Sequence, residues 1–265
     1  MKKLAALAFT LCMSSSFVQA DTVELFAAGS LKIALTDVAA NYEAITGNSV
    51  ARHFGPSGLM RERIEQGETA HVFASANMKH PTTLQHQGKG AEVVMFAQNK
   101  LCGLAKSTLK ISSAQLLETL LDPAIRVGTS TPKADPSGDY AWQLFEKAEH
   151  LQTGAYATLD SKALKLTGGR DSQQAPEGRN TYGWVMENDR ADIFLTYCTN
   201  ALLAKRQVPE LQILTLPDEL SVGADYGLIL LNGAPKQAAD FARYVLSDEA
   251  QAILSSYGFT PVIGE

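Results

Sequence analysis

Two α/β lobes joined by two crossing strands are the fold that this sequence predicts. Three observations lead there. Residues 23–76 alternate strand, helix, strand, helix, strand. A comparable alternation returns over residues 125–197. The segments between the two units, near 98–105 and 216–228, read as apolar strands rather than as a Gly/Ser-rich linker. Strand–helix alternation implies mostly parallel sheets with helices on both faces. Two strand crossings imply a hinged clamshell with both chain ends in one lobe. The expected division puts 21–102 and 222–265 in the first lobe and 103–221 in the second.

Residues 23–28 read as the first strand. Between 31 and 46 apolar residues fall at 31, 35, 38, 39, 42 and 45, a helical spacing, and Gly47 is its C-terminal breaker. A second strand is expected at 49–54, a helix at 57–66 closed by Gly67, and a third, largely apolar strand at 71–76. Residues 95–104 read as a strand that leaves this unit. A helix at 113–121, a strand at 125–129 and an amphipathic helix at 140–150 open the second unit, followed by a short strand at 165–167, a helix at 182–187 and a buried strand at 192–197. The strand at 225–231 and helices at 235–246 and 248–257 complete the chain.

Residues 1–20 read as a secretory leader. Lys2 and Lys3 are basic, residues 4–13 are mostly apolar, and Val18-Gln19-Ala20 supplies a cleavage point. The apolar run is too short for a bilayer span. What remains has ordinary globular composition, 45% hydrophobic and 19% charged overall, so a packed core is expected. The net charge of −5 becomes more negative once Lys2 and Lys3 leave, which argues against nucleic acid as a partner. It also means that a bound anion has to be held by local dipoles rather than by a basic field. Cys102 and Cys198 remain after the leader. An even count in an exported protein permits one disulfide; two buried free thiols are the other reading. No cysteine–histidine spacing marks a metal site, and no cofactor is expected.

Three serines sit where the chain is expected to turn into a helix: Ser30 in Phe26-Ala27-Ala28-Gly29-Ser30-Leu31, Ser57 in Phe54-Gly55-Pro56-Ser57-Gly58, and Ser137 in Ala134-Asp135-Pro136-Ser137-Gly138. The first N–H groups of a helix have no intrahelical partner. With a hydroxyl and the positive end of the helix dipole, they form an anion site without formal charge. The plainer reading of each serine is an N-cap. Open α/β sheets bind ligands beyond the carboxyl ends of their strands, and there each serine turn falls.

Four segments, in register along nearly all of the chain after the leader, resemble the periplasmic molybdate/tungstate-binding proteins of ABC importers. Ala27-Ala28-Gly29-Ser30-Leu31 is similar to that family's A-A-S-L opening, and residues 67–76 to its G-x-x-A-D-V-F-I-S-A segment. Pro136-Ser137-Gly138-Asp139-Tyr140-Ala141 is similar to its P-x-G-x-Y-A helix start, and Tyr257-Gly258-Phe259 to its C-terminal Y-G-F. The resemblance implies a periplasmic binding protein, not an enzyme. It would close around a tetrahedral oxyanion, molybdate or tungstate, and deliver it to the membrane permease of an ABC importer. It further implies that the anion is held by Ser30 and Ser57, by the N–H of Ser137, by the hydroxyl of Tyr197, and by a backbone donor at or next to Arg179. A monomer is expected.

The chain departs from that pattern in three places. Pro56, which has no N–H, and Gly58 flank Ser57 where the family is serine-rich. His71 replaces an aspartate. Arg179 brings a positive side chain that could add charge-assisted bonds, and with it room for a different oxyanion. Each residue also has a plainer role: Tyr197 as a core aromatic, Arg179 as a surface ion-pair member, Asn180 and Thr181 as helix caps. Gly168-Gly169-Arg170 lacks the spacing of a nucleotide loop. A secreted hydrolase is the remaining alternative, but neither G-x-S-x-G nor H-E-x-x-H occurs.

Overall fold

The structure, a computed structural model, describes residues 22–262. The expected leader lies outside the described residues. The first lobe begins with β1 (Val23–Ala28), a 3₁₀ turn at Gly29–Leu31 and α1 (Lys32–Thr46). It continues with β2 (Val50–Gly55), α2 (Ser57–Glu65), β3 (Val72–Ser75) and α3 (Lys79–His86). The long β4 (Val94–Ala105) leads away. The second lobe holds α4 (Leu116–Leu121), β5 (Val127–Ser130), α5 (Pro136–Leu151), α6 (Ala155–Lys162) and β6 (Leu164–Thr167). After these come α7 (Thr181–Glu187), β7 (Ile193–Tyr197), α8 (Cys198–Gln207) and β8 (Gln212–Thr215). The chain returns through β9 (Gly223–Leu230), α9 (Lys236–Val245), α10 (Asp248–Ser256) and the short β10 (Thr260–Pro261).

The strands run in the order β2-β1-β3-β9-β4-β7-β5-β6, with β8 and β10 also paired to β4. In the first lobe β1 is parallel to β2 and β3; in the second β5 is parallel to β6 and β7. The strand β4 belongs to both. Residues 94–100 pair antiparallel with β9, and Leu101–Ala105 pair antiparallel with β7 and β8. One strand thus crosses between lobes on the way out. The segment from Leu216 to Val222 crosses on the way back as a loop with a 3₁₀ turn at Asp218–Leu220, not as the apolar strand expected near 216–228, and β9 pairs with β3 and with residues 94–100 of β4.

Both faces of the sheet are covered, which is why its strands read as apolar runs rather than as alternating ones. In β1, Leu25 and Ala27 join Leu35, Tyr42 and Phe241 on one face, while Phe26 turns to Phe73, Met60 and Leu84 on the other. The second lobe repeats this. Ile193 and Leu195 pack on Leu144 and Phe145 of α5, and Phe194 packs on Val185 and Ala204. Helix α1 stops where expected, with Gly47 in the left-handed region at φ 74°. Cys102 and Cys198 form a disulfide with their Cα atoms 4.9 Å apart, so the free-thiol reading is set aside.

Candidate anion-binding cleft

A cavity of about 390 Å³ opens at the C-terminal ends of six strands. The first lobe contributes Ser30 after β1, Ser57 after β2 and Ala76 after β3; the second contributes Asp135 after β5, Thr167 at the end of β6 and Tyr197 at the end of β7. This is the edge on which an open α/β sheet gathers its loops and helix starts.

The first-lobe wall follows the serine reading. Neither the turn into α1 nor the start of α2 has a side-chain N-cap; the Lys32 N–H goes to the Gly29 carbonyl and the Gly58 N–H to that of Ala134, and the other leading N–H groups at Ser30 and Ser57 have no side-chain acceptor. Ser57 is fully buried, and its Oγ accepts from the N–H of Ala76 at 3.1 Å, which leaves its own hydrogen to donate. Ser30 Oγ lies 3.1 Å from the hydroxyl of Tyr226, which also accepts from Asn99 at 3.3 Å. Tyr197 reaches across from the second lobe and donates to the carbonyl of Ala76 at 3.1 Å. Ala76 is therefore held at its N–H by one lobe and at its C=O by the other. Burial pushes the phenols of Tyr197 and Tyr226 well above their usual range, so both stay neutral donors.

The second-lobe wall differs from what the resemblance implies. The N–H of Ser137 donates to Asp135 Oδ1 at 3.0 Å, the N-cap of α5. Ser137 itself is fully buried behind the wall, and its Oγ has no partner. Arg179 forms an ion pair with Glu187, and its N–H donates to the carbonyl of Pro176 at 3.1 Å. Its side chain lines a neighbouring recess of about 520 Å³ together with Arg206, not the main cavity. Asn180 is the cap of α7, accepting from the N–H groups of Tyr182 and Gly183. The residue of that stretch that does line the cavity is Thr181, at the helix start.

Two features of the wall went unread in the sequence. The loop from Gly168 to Gln174 closes one side of the cavity. Gly168 has φ +74°, and a Cβ there would lie 2.6 Å from Asp135 Oδ2, so only glycine lets the chain pass over this carboxyl. Its signal was a Gly-Gly pair directly after a strand of the same edge. The second feature is Asp135. Burial raises its carboxyl to about 6, outweighing the Ser137 N–H and Ser130 hydroxyl that favour the anion, and Asp139 raises it further. Lys32 and Arg170 add positive charge at the wall, with Arg170 ion-paired across the cleft to Glu62. The lobes also meet where the N–H of Gly58 donates to the carbonyl of Ala134 at 2.9 Å. Among the described residues no cluster of three or more His, Cys, Asp or Glu side chains offers a metal site, and no helix is long and apolar enough to cross a membrane.

A donor-rich cleft between two α/β lobes, joined by the strand β4 and the segment 216–222, defines a two-lobed ligand-binding protein. The chain matches the bacterial extracellular solute-binding proteins over residues 23–260 and belongs to that family. It is 39% identical over 209 residues to the protein PM1146 of Pasteurella multocida, covering 78% of this chain and 86% of that one. It is 26% identical over 272 residues to the molybdate-binding protein ModA of Haemophilus influenzae, covering 98% and 99%. The fold is also that of the periplasmic molybdate-binding protein of Azotobacter vinelandii, with a TM-score of 0.70, 19% identity, and 92% and 100% of the two chains covered.

Proposed function

We propose that this protein captures a tetrahedral oxyanion between its lobes, in the periplasm and as a monomer, and delivers it to an ABC permease. The lobes are 21–102 with 222–265, and 103–221. The observation that carries this reading is the pair of uncapped helix starts at Ser30 and Ser57, facing Thr181 and Tyr197 across one cavity. Hydroxyls, N–H groups and helix dipoles aimed at one point bind an anion without a formal countercharge. Molybdate, for which the Haemophilus and Azotobacter proteins are named, and tungstate, which the resemblance adds, are among the oxyanions to test. The anion favours the closed form because it contacts both lobes only there. Ser30 and Ser57 are the proposed contacts, with Thr181 and the 168–170 loop in the places given to Arg179 and Ser137 by the resemblance; Tyr197, which the resemblance also names, lines the cavity with its hydrogen given to the Ala76 carbonyl and so ties the two walls together. No catalytic role is assigned.

Calorimetry with molybdate, tungstate, sulfate and hydrogen phosphate tests this. Ser30→Ala and Ser57→Ala are each expected to weaken binding by about 1–3 kcal/mol, the cost of a lost hydrogen bond to a charged group. Unchanged affinity in both variants would remove the serines from the site. Turnover of a chromogenic ester with no anion bound would favour the hydrolase instead.

A further inference from the structure

Among the described residues, Asp135 is the one acidic side chain that lines the cavity. Its Oδ1 is fixed by the Ser137 N–H at 3.0 Å, so the group cannot swing out of the cleft without uncapping α5. Gly168 packs directly against the carboxyl, since a Cβ there would lie 2.6 Å from Oδ2, and this close approach fixes the group on its second side. Capping alone does not call for this residue. Asparagine and serine cap a helix as well as aspartate does, without a charge to desolvate. An ionised carboxylate facing a fully deprotonated dianion repels it, and a cleft of low dielectric magnifies the repulsion.

We propose that the cleft selects an oxyanion that carries its own O–H at neutral pH, hydrogen phosphate being the simplest, and that Asp135 is the acceptor that reads this hydrogen. The proposal rests on the oxyanion reading above and names the class within it. The donors of Ser30, Ser57 and Thr181 hold the ligand's bare oxygens, and Asp135 accepts from its hydroxyl. Molybdate, tungstate and sulfate bring no proton, so Asp135 has to take one from solvent before it can face them. Either way the complex holds one proton between the carboxyl and the ligand.

The surroundings leave Asp135 as the group that responds to pH. Asp139 follows one turn later on α5, raised by burial and accepting from the Lys133 N–H. Facing it from α7, β7 and β9 are the phenols of Tyr182, Tyr197 and Tyr226, all raised by burial and neutral. Lys32 and Arg170 are cations at the same wall, and Arg170 is paired with Glu62. Burial has already brought the Asp135 carboxyl to about 6, which supports the assignment.

The test compares hydrogen phosphate with sulfate, which stays fully deprotonated throughout, by calorimetry from about pH 5.5 to about pH 8 in wild type and Asp135→Asn. In wild type at the upper end, hydrogen phosphate is expected to bind more than about tenfold tighter than sulfate. Sulfate affinity should rise toward about tenfold per unit as pH falls, with one proton taken up per anion. In Asp135→Asn, which keeps the cap, sulfate binding should strengthen at the upper end and lose this pH dependence. Sulfate binding of equal strength across the range, unchanged by the substitution, would overturn the role of Asp135 while leaving the oxyanion reading intact. Binding of neither anion, nor of molybdate, at any pH would sink the oxyanion reading itself. Should Asp135→Asn fail to fold, the wild-type pH profile decides alone.

Discussion

Two demands meet at Asp135 and pull its proton in opposite directions. Capping α5 favours the carboxylate, as the Ser137 N–H does directly, whereas burial favours the neutral acid and prevails. The folded carboxyl titrates near 6, above the value near 3.9 of an unfolded aspartate, so between these limits the native state binds the extra proton. Stability from this group is therefore full below about pH 4 and declines as pH rises to about 6. Asp135→Asn should flatten that decline and unfold at a higher temperature than wild type at neutral pH, read by calorimetric melts across the range. A steeper decline in the variant would mean that the carboxylate is stabilised in place. Other positions were legible from sequence because their chemistry is local: Ser30 and Ser57 follow strands directly and have no capping competitor. Ser137 has one two residues earlier, and its N–H goes to Asp135. Arg179 has Glu187 eight residues on, and which of two recesses its side chain enters is set by tertiary packing that no local pattern encodes.

The first turn of α2 touches the second lobe directly, through the Gly58 N–H and the Ala134 carbonyl. A Cβ on Gly58 would lie 2.4 Å from the carbonyl oxygen of Lys133 and 2.9 Å from that of Ala134, both backbone atoms that cannot step aside singly. Gly58→Ala should therefore leave the separated lobes folded, since alanine suits a helix better than glycine. It should prevent them from meeting at the 131–135 turn. Anion affinity is expected to fall by about tenfold or more, and small-angle scattering with saturating anion should show an expanded particle. Unaltered affinity would show that this contact is not part of the bound state. Most strands and the long helices were readable because covered sheets give apolar runs and α1 and α5 present clear stripes; the short β8 and β10 were not. Helices α3, α6 and α8 were not. Pro81 lies in the first turn of α3, where the helix tolerates it but the sequence reads as a breaker, and α6 and α8 bury few large apolar residues, Ala155 with Leu159 and Ala201 with Ala204, which make a faint periodic signal.

Across the whole molecule, the strand β4 runs through both lobes, and the disulfide ties its second-lobe end to the start of α8. Cys102 stands one residue past Leu101, which pairs with Tyr197, and Cys198 opens α8 directly after Tyr197. The bond spans 96 residues, a loop that contains α4 through β7. Closing so long a loop removes much of the unfolded chain's freedom, and the loss of such a bond typically costs about 2–4 kcal/mol. At about 2–4 °C per kcal/mol for a chain of this size, the double variant Cys102→Ser/Cys198→Ser should melt about 4–16 °C lower. Affinity for the anion should change little. Tyr197 keeps its place through the β4–β7 pairing and its bond to Ala76, neither of which needs the disulfide. Melting curves together with calorimetry on the same variant separate the two effects. A large loss of affinity at temperatures where the variant is fully folded would mean that the disulfide positions Tyr197, rather than only limiting the unfolded chain.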